Sequence, residues 1–269
     1  MINNNVKNTH PLVHCITNYV TVNDVANILL ASGASPAMAD CPKEAAELTS
    51  IANALYLNIG TPNEMVLESM LISAKTANKN NIPIVLDPVA VGVSKFRKHC
   101  ISQILKESKV SVIRGNISEI KAIALDQKSN SGVDAQTEDQ ISSENINDII
   151  TIAKNLSKQT KAIIAISGEK DIICDENRCV VLSNGDSMMA NITGAGCMLT
   201  SLIAAHVASN ADRFNATVTA MAQMGIAGEI AKELLLEIEG NSSYRNHLID
   251  TIAFLDTDKI KEKIKYEIF

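Results

Sequence analysis

Ala54-Leu55-Tyr56-Leu57-Asn58-Ile59, then Gly60, then Thr61-Pro62-Asn63-Glu64, is an apolar strand running straight into a helix start. The run is short and apolar on successive residues, which fits a strand covered on both faces. Thr61 suits a helix cap, Pro62 the first helical position and Glu64 the third residue of a capping box. Met65, Leu67, Met70 and Leu71 then supply the buried stripe.

The same unit recurs downstream. Ile82-Pro83-Ile84-Val85-Leu86 ends in Asp87-Pro88, with a helix predicted near Phe96 to Lys106. Val110-Ser111-Val112-Ile113 leads into Arg114-Gly115-Asn116 and a helix from Ile117 to about Leu125. A helix carrying Ile146, Ile149, Ile150, Ala153 and Leu156 precedes Ala162-Ile163-Ile164-Ala165-Ile166 and Ser167-Gly168-Glu169. Strands alternating with helices predict an α/β fold in which a mostly parallel central sheet is flanked by helices. Ligands of such sheets bind beyond the carboxyl ends of the strands, so Asn58, Gly60, Asp87, Arg114 and Asn116 fall on one edge.

The polar segment from Asp126 to Gln140 reads as a mobile surface loop, and Ile172 to Leu182 as a hairpin in which Cys174 and Cys179 face each other across the strands. From Gly194 onward the chain reads as helical, with one long helix over roughly Phe214 to Leu236. The expected order is sheet first and helices last, with residues 1–269 forming one domain.

Composition narrows the function classes. Hydrophobic residues make up 46% of the 269 and aromatics only 3%, so the core is aliphatic. A net charge of −6 with no cluster of Lys and Arg argues against a nucleic-acid partner. No run approaches the ~20 apolar residues that span a bilayer, and Met1 to Lys7 lacks a signal-peptide pattern, so a soluble cytoplasmic protein is expected. Six scattered cysteines form neither a disulfide scaffold nor paired zinc ligands, and His14-Cys15 lacks partners for a metal. Met188-Met189, Met221 and Met224 read as adaptable core.

Chemistry concentrates in Asn191-Ile192-Thr193-Gly194-Ala195-Gly196-Cys197, which opens an apolar helix. Free amides and the helix dipole attract an anion there, and two glycines allow close backbone approach; small residues at a helix start also serve close packing. Cys197 lies in the first turn, where a thiol's pKa tends to fall, although a buried structural cysteine is the plainer reading. Asn116 and Glu119 have the spacing of a capping box, while a carboxylate at that edge can also support magnesium. Asp87 reads either as turn chemistry or as a second magnesium carboxylate. Arg114, directly after an apolar strand, is placed to neutralise phosphate oxygens.

Six segments in order, Pro11 to Asn18, Gly33 to Ala39, Asn58 to Thr61, Leu86 to Val89, Arg114 to Asn116 and Asn191 to Cys197, resemble the hydroxyethylthiazole kinase family over nearly the whole chain. That resemblance implies a single-domain ribokinase-like fold and Mg-ATP-dependent phosphorylation of 4-methyl-5-(2-hydroxyethyl)thiazole on its hydroxyethyl oxygen, in thiamine salvage. It also implies a homotrimer with the thiazole pocket between subunits. Carried over residue by residue, it implies substrate contacts at Met38 and Gly194 with Asn18 and Gly60 as neighbours, nucleotide contacts at Arg114 and Ser167, and a magnesium-supporting pair in Asp87 and Glu119. The catalytic turn becomes Gly194, Ala195, Gly196 and Cys197, with Cys197 where related kinases usually carry an aspartate. Relatives also carry Thr at the position of Ser167. The rivals are a kinase for another heteroaromatic alcohol such as hydroxymethylpyrimidine, an ADP-dependent hydro-lyase of the same superfamily, and a nucleotide-binding sensor without turnover.

Overall fold

The computed structural model describes residues 2–128 and 145–269. In chain order the elements are α1 (Val6–Thr9), β1 (Leu12–Ile16), α2 (Val22–Ser32), β2 (Ser35–Met38), α3 (Ala45–Ile51), β3 (Ala54–Asn58), α4 (Glu64–Lys79), β4 (Ile84–Asp87), α5 (Lys95–Glu107), β5 (Val112–Asn116) and α6 (Ile117–Lys128). They continue as α7 (Ile146–Thr160), β6 (Ile163–Ser167), β7 (Asp171–Cys174), β8 (Cys179–Leu182), a 3₁₀ turn at Ser187–Asn191, α8 (Ala195–Ser209), α9 (Arg213–Leu234), α10 (Asn241–Phe254), α11 (Thr257–Lys263) and β9 (Tyr266–Ile268). The nine strands of the described residues form one sheet in the order β2-β1-β3-β4-β5-β6-β7-β8-β9. Pairing is parallel as far as β6 and antiparallel through β7, β8 and β9.

The unbroken apolar strands follow from burial on two faces. In β3, Ala54 and Tyr56 face a core shared with α8 and α9, while Leu55 and Leu57 face a second core shared with α4, α5, α6 and α7. Every residue of α8 from Cys197 to Val207 is buried. A helix that is apolar all round belongs inside, and here it lies between the sheet and α9. Its N-terminus is thereby delivered to the carboxyl ends of β1, β3 and β4.

Four expectations need correction. The cap of α4 is Asn63, whose side chain accepts from the Val66 N–H at 2.9 Å. Asn63 is extended and one residue from the helix, so it outcompetes Thr61, whose hydroxyl faces the Tyr19 N–H at 3.4 Å. Arg114, Gly115 and Asn116 belong to β5 itself, in register with Ala165, Ile166 and Ser167 of β6. Helix α6 continues beyond Leu125 to Lys128; the rest of the segment read as a loop, from 129 to 140, lies outside the described residues. The chain also does not finish in helices, because β9 returns to cover the open edge of β8, a strand buried along its whole length that would otherwise present unpaired backbone. Cys174 and Cys179 are cross-strand neighbours as expected, with sulfurs 2.8 Å apart.

Candidate active site

Strand order reverses between β1 and β3, since the chain steps outward to β2 and then back across β1. Such a switch point leaves a crevice at the carboxyl ends of the strands. Asn18 follows β1, Asn58 ends β3, and α8 brings Cys197 to both. Asn18 Nδ2 donates to Asn58 Oδ1 at 3.0 Å and lies 3.4 Å from Cys197 Sγ. Asn18 Oδ1 in turn collects the Val20 and Thr21 N–H groups and the Thr21 hydroxyl, each at 3.1 Å. Gly60 N–H closes the group by donating to Asn58 Oδ1 at 2.8 Å.

Asn58 Nδ2 is the centre of a second cluster. It lies 2.8 Å from the Tyr56 hydroxyl, 3.2 Å from Asp87 Oδ2 and 3.2 Å from Cys197 Sγ. The Tyr56 hydroxyl has Cys197 C=O at 3.2 Å and Asp87 Oδ2 at 3.5 Å as acceptors, and the Thr200 hydroxyl donates to Asp87 Oδ2 at 2.8 Å. Asp87 Oδ1 is buried with no hydrogen-bond partner. Arg114, itself 8% exposed, places Nη1 3.8 Å from Asp87 Oδ2 and donates from Nη2 to the Ser167 hydroxyl. Asp87, Arg114 and Ser167 thus run along the strand ends of β4, β5 and β6.

The glycine turn fits tightly over this row. Gly194 is the cap of α8 in the left-handed region at φ 88°, and a Cβ there would lie 2.7 Å from Thr21 Cγ2. At Gly196 a Cβ would clash with Arg114 Nη1. The first bond of the helix is Met198 N–H to Gly194 C=O at 2.8 Å, so the amides of Ala195, Gly196 and Cys197 precede it and face the crevice end. Beyond Arg114 lies a cavity of about 730 Å³, bordered among others by Ser167, Asp171, Ala195, Gly196 and Met224. That is the size of a small-molecule site.

Burial dominates the electrostatics. It pushes the Asp87 carboxyl up to about 6, with Arg114 opposing and Glu119 adding to the rise. Burial and the Asp87 charge also raise the Cys197 thiol, against the hydrogen bonds from Thr21, Asn58 and Asn18. The helix dipole therefore does not produce a thiolate here, contrary to the tendency expected from its position. Asp171, bonded by the Gly168 N–H at 3.1 Å, is pushed by burial to about 7. A carboxyl raised from 3.8 keeps its proton in the folded state while the unfolded chain releases it, so this group's contribution falls as pH rises from about 4 to 7. Asp171→Asn is expected to be more stable than the parent by roughly 1–2 kcal/mol at pH 8, after allowance for solvent screening of a half-buried group. The gap should narrow at pH 5, as read by urea denaturation at both pH values.

The remaining expected residues stand as follows. Glu119 and Asn116 form a reciprocal capping box, Asn116 N–H to Glu119 Oε2 at 2.8 Å and Glu119 N–H to Asn116 Oδ1 at 2.9 Å. Glu119 Oε1 also accepts the Ala90 N–H at 2.8 Å. Among the described residues no three His, Cys, Asp or Glu side chains form a metal cage. The orphaned Asp87 oxygen with Glu119 nearby does suit magnesium, which is usually held by one or two carboxylates plus substrate phosphates. Met38 ends β2, half-buried and in register with Cys15, one strand removed from β3. His14 commits both ring nitrogens to Thr49 Oγ1 and Ala39 C=O. Tyr56, Thr21, Thr200 and Asp171 were missed. Only Tyr56 carried a signal, as a phenol in an otherwise aliphatic strand that needs a partner for its hydroxyl.

A ribokinase-like superfamily protein from Enterococcus faecalis has the same fold at a TM-score of 0.64 with 11% identity, covering 91% of this chain and 88% of that one. The chain thus has a ribokinase-like α/β fold, with its polar site at the carboxyl ends of the parallel strands. Residues 4–258 match the Hydroxyethylthiazole kinase family. A hydroxyethylthiazole kinase from Clostridium acetobutylicum is 50% identical over 266 residues, 98% of this chain and 97% of that protein. The structure of one from Pyrococcus horikoshii aligns at a TM-score of 0.87 with 32% identity, covering 98% and 96%. The chain belongs to the hydroxyethylthiazole kinase family.

Proposed function

We propose that this chain transfers the terminal phosphoryl group of Mg-ATP to the hydroxyethyl oxygen of 4-methyl-5-(2-hydroxyethyl)thiazole, the alcohol in its relatives' name, and so serves thiamine salvage. The observation that carries the reading is the seating of Arg114 beneath Gly196, where a buried guanidinium and the first amides of α8 converge on one spot. Phosphoryl transfer needs little covalent help from a protein; it needs positioning and charge stabilisation at the transferring group.

In this reading the ATP tail enters from the 730 Å³ cavity, with Arg114 and Ser167 on its phosphates. The amides of Ala195, Gly196 and Cys197 take the oxygens of the transferring group. Asp87 and Glu119 would hold magnesium, which would supply positive charge to offset that of the phosphates. Asn18, Gly60, Met38 and Gly194 border the alcohol. A raised thiol pKa and two amide donors on its sulfur make Cys197 a neutral neighbour of the alcohol rather than a strong base. Cys197→Ser is accordingly expected to lower kcat by no more than about tenfold, beneath the ~10²–10⁴-fold scale of general-base effects. Steady-state kinetics check this, and a loss above a thousandfold would make Cys197 the base.

The crevice beside Asn18 is flanked by exposed Tyr19 and Val20, and Leu30 lies exposed on α2. Exposed Tyr19 and Val20 at the open side of the crevice suit a neighbouring subunit that completes the thiazole pocket, as in the homotrimer that the family resemblance implies. One sheet running through all the described strands supports a single kinase domain over 1–269, and no helix of the described residues is long and apolar enough to cross a membrane, which agrees with a cytoplasmic enzyme. The test is an assay with Mg-ATP and a panel of thiazole and pyrimidine alcohols, following phosphate-ester formation. The thiazole alcohol should give its ester; absence of that ester would remove the reading.

A further inference from the structure

Arg97 is the third residue of α5, and its own N–H is received by the capping Ser94 hydroxyl at 3.2 Å. Its first turn carries Lys95 and Arg97 and no acidic residue, although the dipole there disfavours positive charge. A local rule broken in this way marks a residue retained for something other than its helix.

The guanidinium reaches across to the strand ends. Nη1 donates to Ile59 C=O at 2.6 Å and to Val89 C=O at 2.7 Å, and Nη2 donates to Gly60 C=O at 2.7 Å. Ile59 and Gly60 follow Asn58 directly; Val89 lies two residues after Asp87. The Val89–Ala90 peptide is therefore held from both sides, its carbonyl by Arg97 and its N–H by Glu119 Oε1 at 2.8 Å. Ala90 sits in the left-handed region at φ 54°, which a residue with a Cβ adopts only where its surroundings impose it. Gly60 is pinned likewise, carbonyl to Arg97 and N–H to Asn58 Oδ1.

We infer that Arg97 is a positioning residue for phosphoryl transfer, clamping the loops after β3 and β4 so that Asn58 and Asp87 keep their places about the start of α8. The inference rests on the proposed kinase activity. It assigns no contact with substrate to Arg97; the residue acts through the two loops.

The test compares the full-length parent with Arg97→Ala and Arg97→Lys, by steady-state kinetics and by amide hydrogen exchange of segments 59–61 and 88–91. In Arg97→Ala, kcat should fall by about tenfold to a hundredfold, the scale of a small misplacement of reacting groups. The KM for Mg-ATP should hold within about threefold, because Arg114 and Ser167 sit on β5 and β6, outside the clamp. Millimolar guanidinium should restore part of kcat in Arg97→Ala and none in the parent, and exchange should quicken in those two segments. Arg97→Lys keeps the charge without the fork and should fall between, and it carries the test if the alanine variant does not fold. An active parent with Arg97→Ala within twofold of its kcat overturns the inference. If the parent yields no ester, the reaction assignment fails instead and exchange alone decides: unchanged exchange in both segments overturns the clamp.

Discussion

Gly196→Ala is expected to lower kcat/KM by at least about a hundredfold, the scale seen when one transition-state donor is lost, while leaving the melting temperature within a few degrees of the parent. The two effects have different origins. Gly196 lies in the first turn of α8 outside the left-handed region, so alanine is compatible with its backbone and a better helix former by about 1 kcal/mol. The added Cβ, however, would clash with Arg114 Nη1 and come within 3.0 Å of Nη2 and 3.1 Å of Cζ. Arg114 is 8% exposed and joined to Asp87 and Ser167, and the cavity it borders is the side to which it can turn. The guanidinium must swing away from the helix start, which separates the side-chain charge from the amides that are to act with it. Kinetics against Mg-ATP concentration, beside a thermal melt, measure both quantities; activity near that of the parent would mean that Arg114 and the glycine turn do not share a ligand.

The strand-and-helix alternation was legible because parallel strands buried on both faces are apolar on successive residues, as β3, β4 and β6 are up to their last residue and β5 is in Val112 and Ile113. Asp87, Arg114 and Ser167 were legible for a related reason, as polar residues where the apolar runs stop, although β5 continues through Arg114 to Asn116. Thr200 and Tyr56 were not. Thr200 sits one turn into a helix buried all round, and Tyr56 two residues before a strand end, so each reads as core until tertiary structure sets Asp87 beside both. Arg97 was not read from the sequence, since a basic first turn does not name the distant carbonyls that give the residue its significance. The same limit explains Asn63 and β9. Local chemistry named Thr61 as an acceptable cap, and only the observed backbone shows that Asn63 has the extended conformation and the shorter reach. Tyr266 to Ile268 is too short to register as a strand without β8 waiting for it.

Cys197 shows how neighbours reverse a local rule. The first turn of a helix lowers a thiol's pKa when solvent or a cation is close. Here the sulfur is enclosed among Asn18, Asn58 and the Asp87 carboxylate, and the desolvation and like-charge repulsion exceed the pull of the amides. The charged groups of the site are therefore Asp87 and Arg114, with the cysteine neutral between the two clusters.

Asp87→Asn is consequently expected to be the more damaging change, lowering kcat by about 10³-fold or more, because it removes the carboxylate proposed for magnesium and leaves Arg114 without its buried counter-charge. The pH dependence of stability should respond separately from activity. Asp87 titrates near 6 in the fold against 3.8 unfolded, so the folded parent keeps a proton that the unfolded chain has lost, and this group's contribution declines as pH rises from about 4 to 6. The asparagine variant lacks that decline. Its stability relative to the parent should therefore improve between pH 4.5 and pH 7.5, even as activity is lost across the range, and the side-chain carbonyl that the substitution leaves in place can still accept from the Thr200 hydroxyl. Paired measurements of kcat and of urea midpoints at the two pH values separate the outcomes. A variant that keeps kcat within tenfold would move the metal away from Asp87, and one whose relative stability worsens with rising pH would mean that the Arg114 charge outweighs burial at this carboxyl. Loss of activity with a flattened pH profile is the combination expected of a carboxylate kept in a costly buried place for the charge it presents to phosphate and metal.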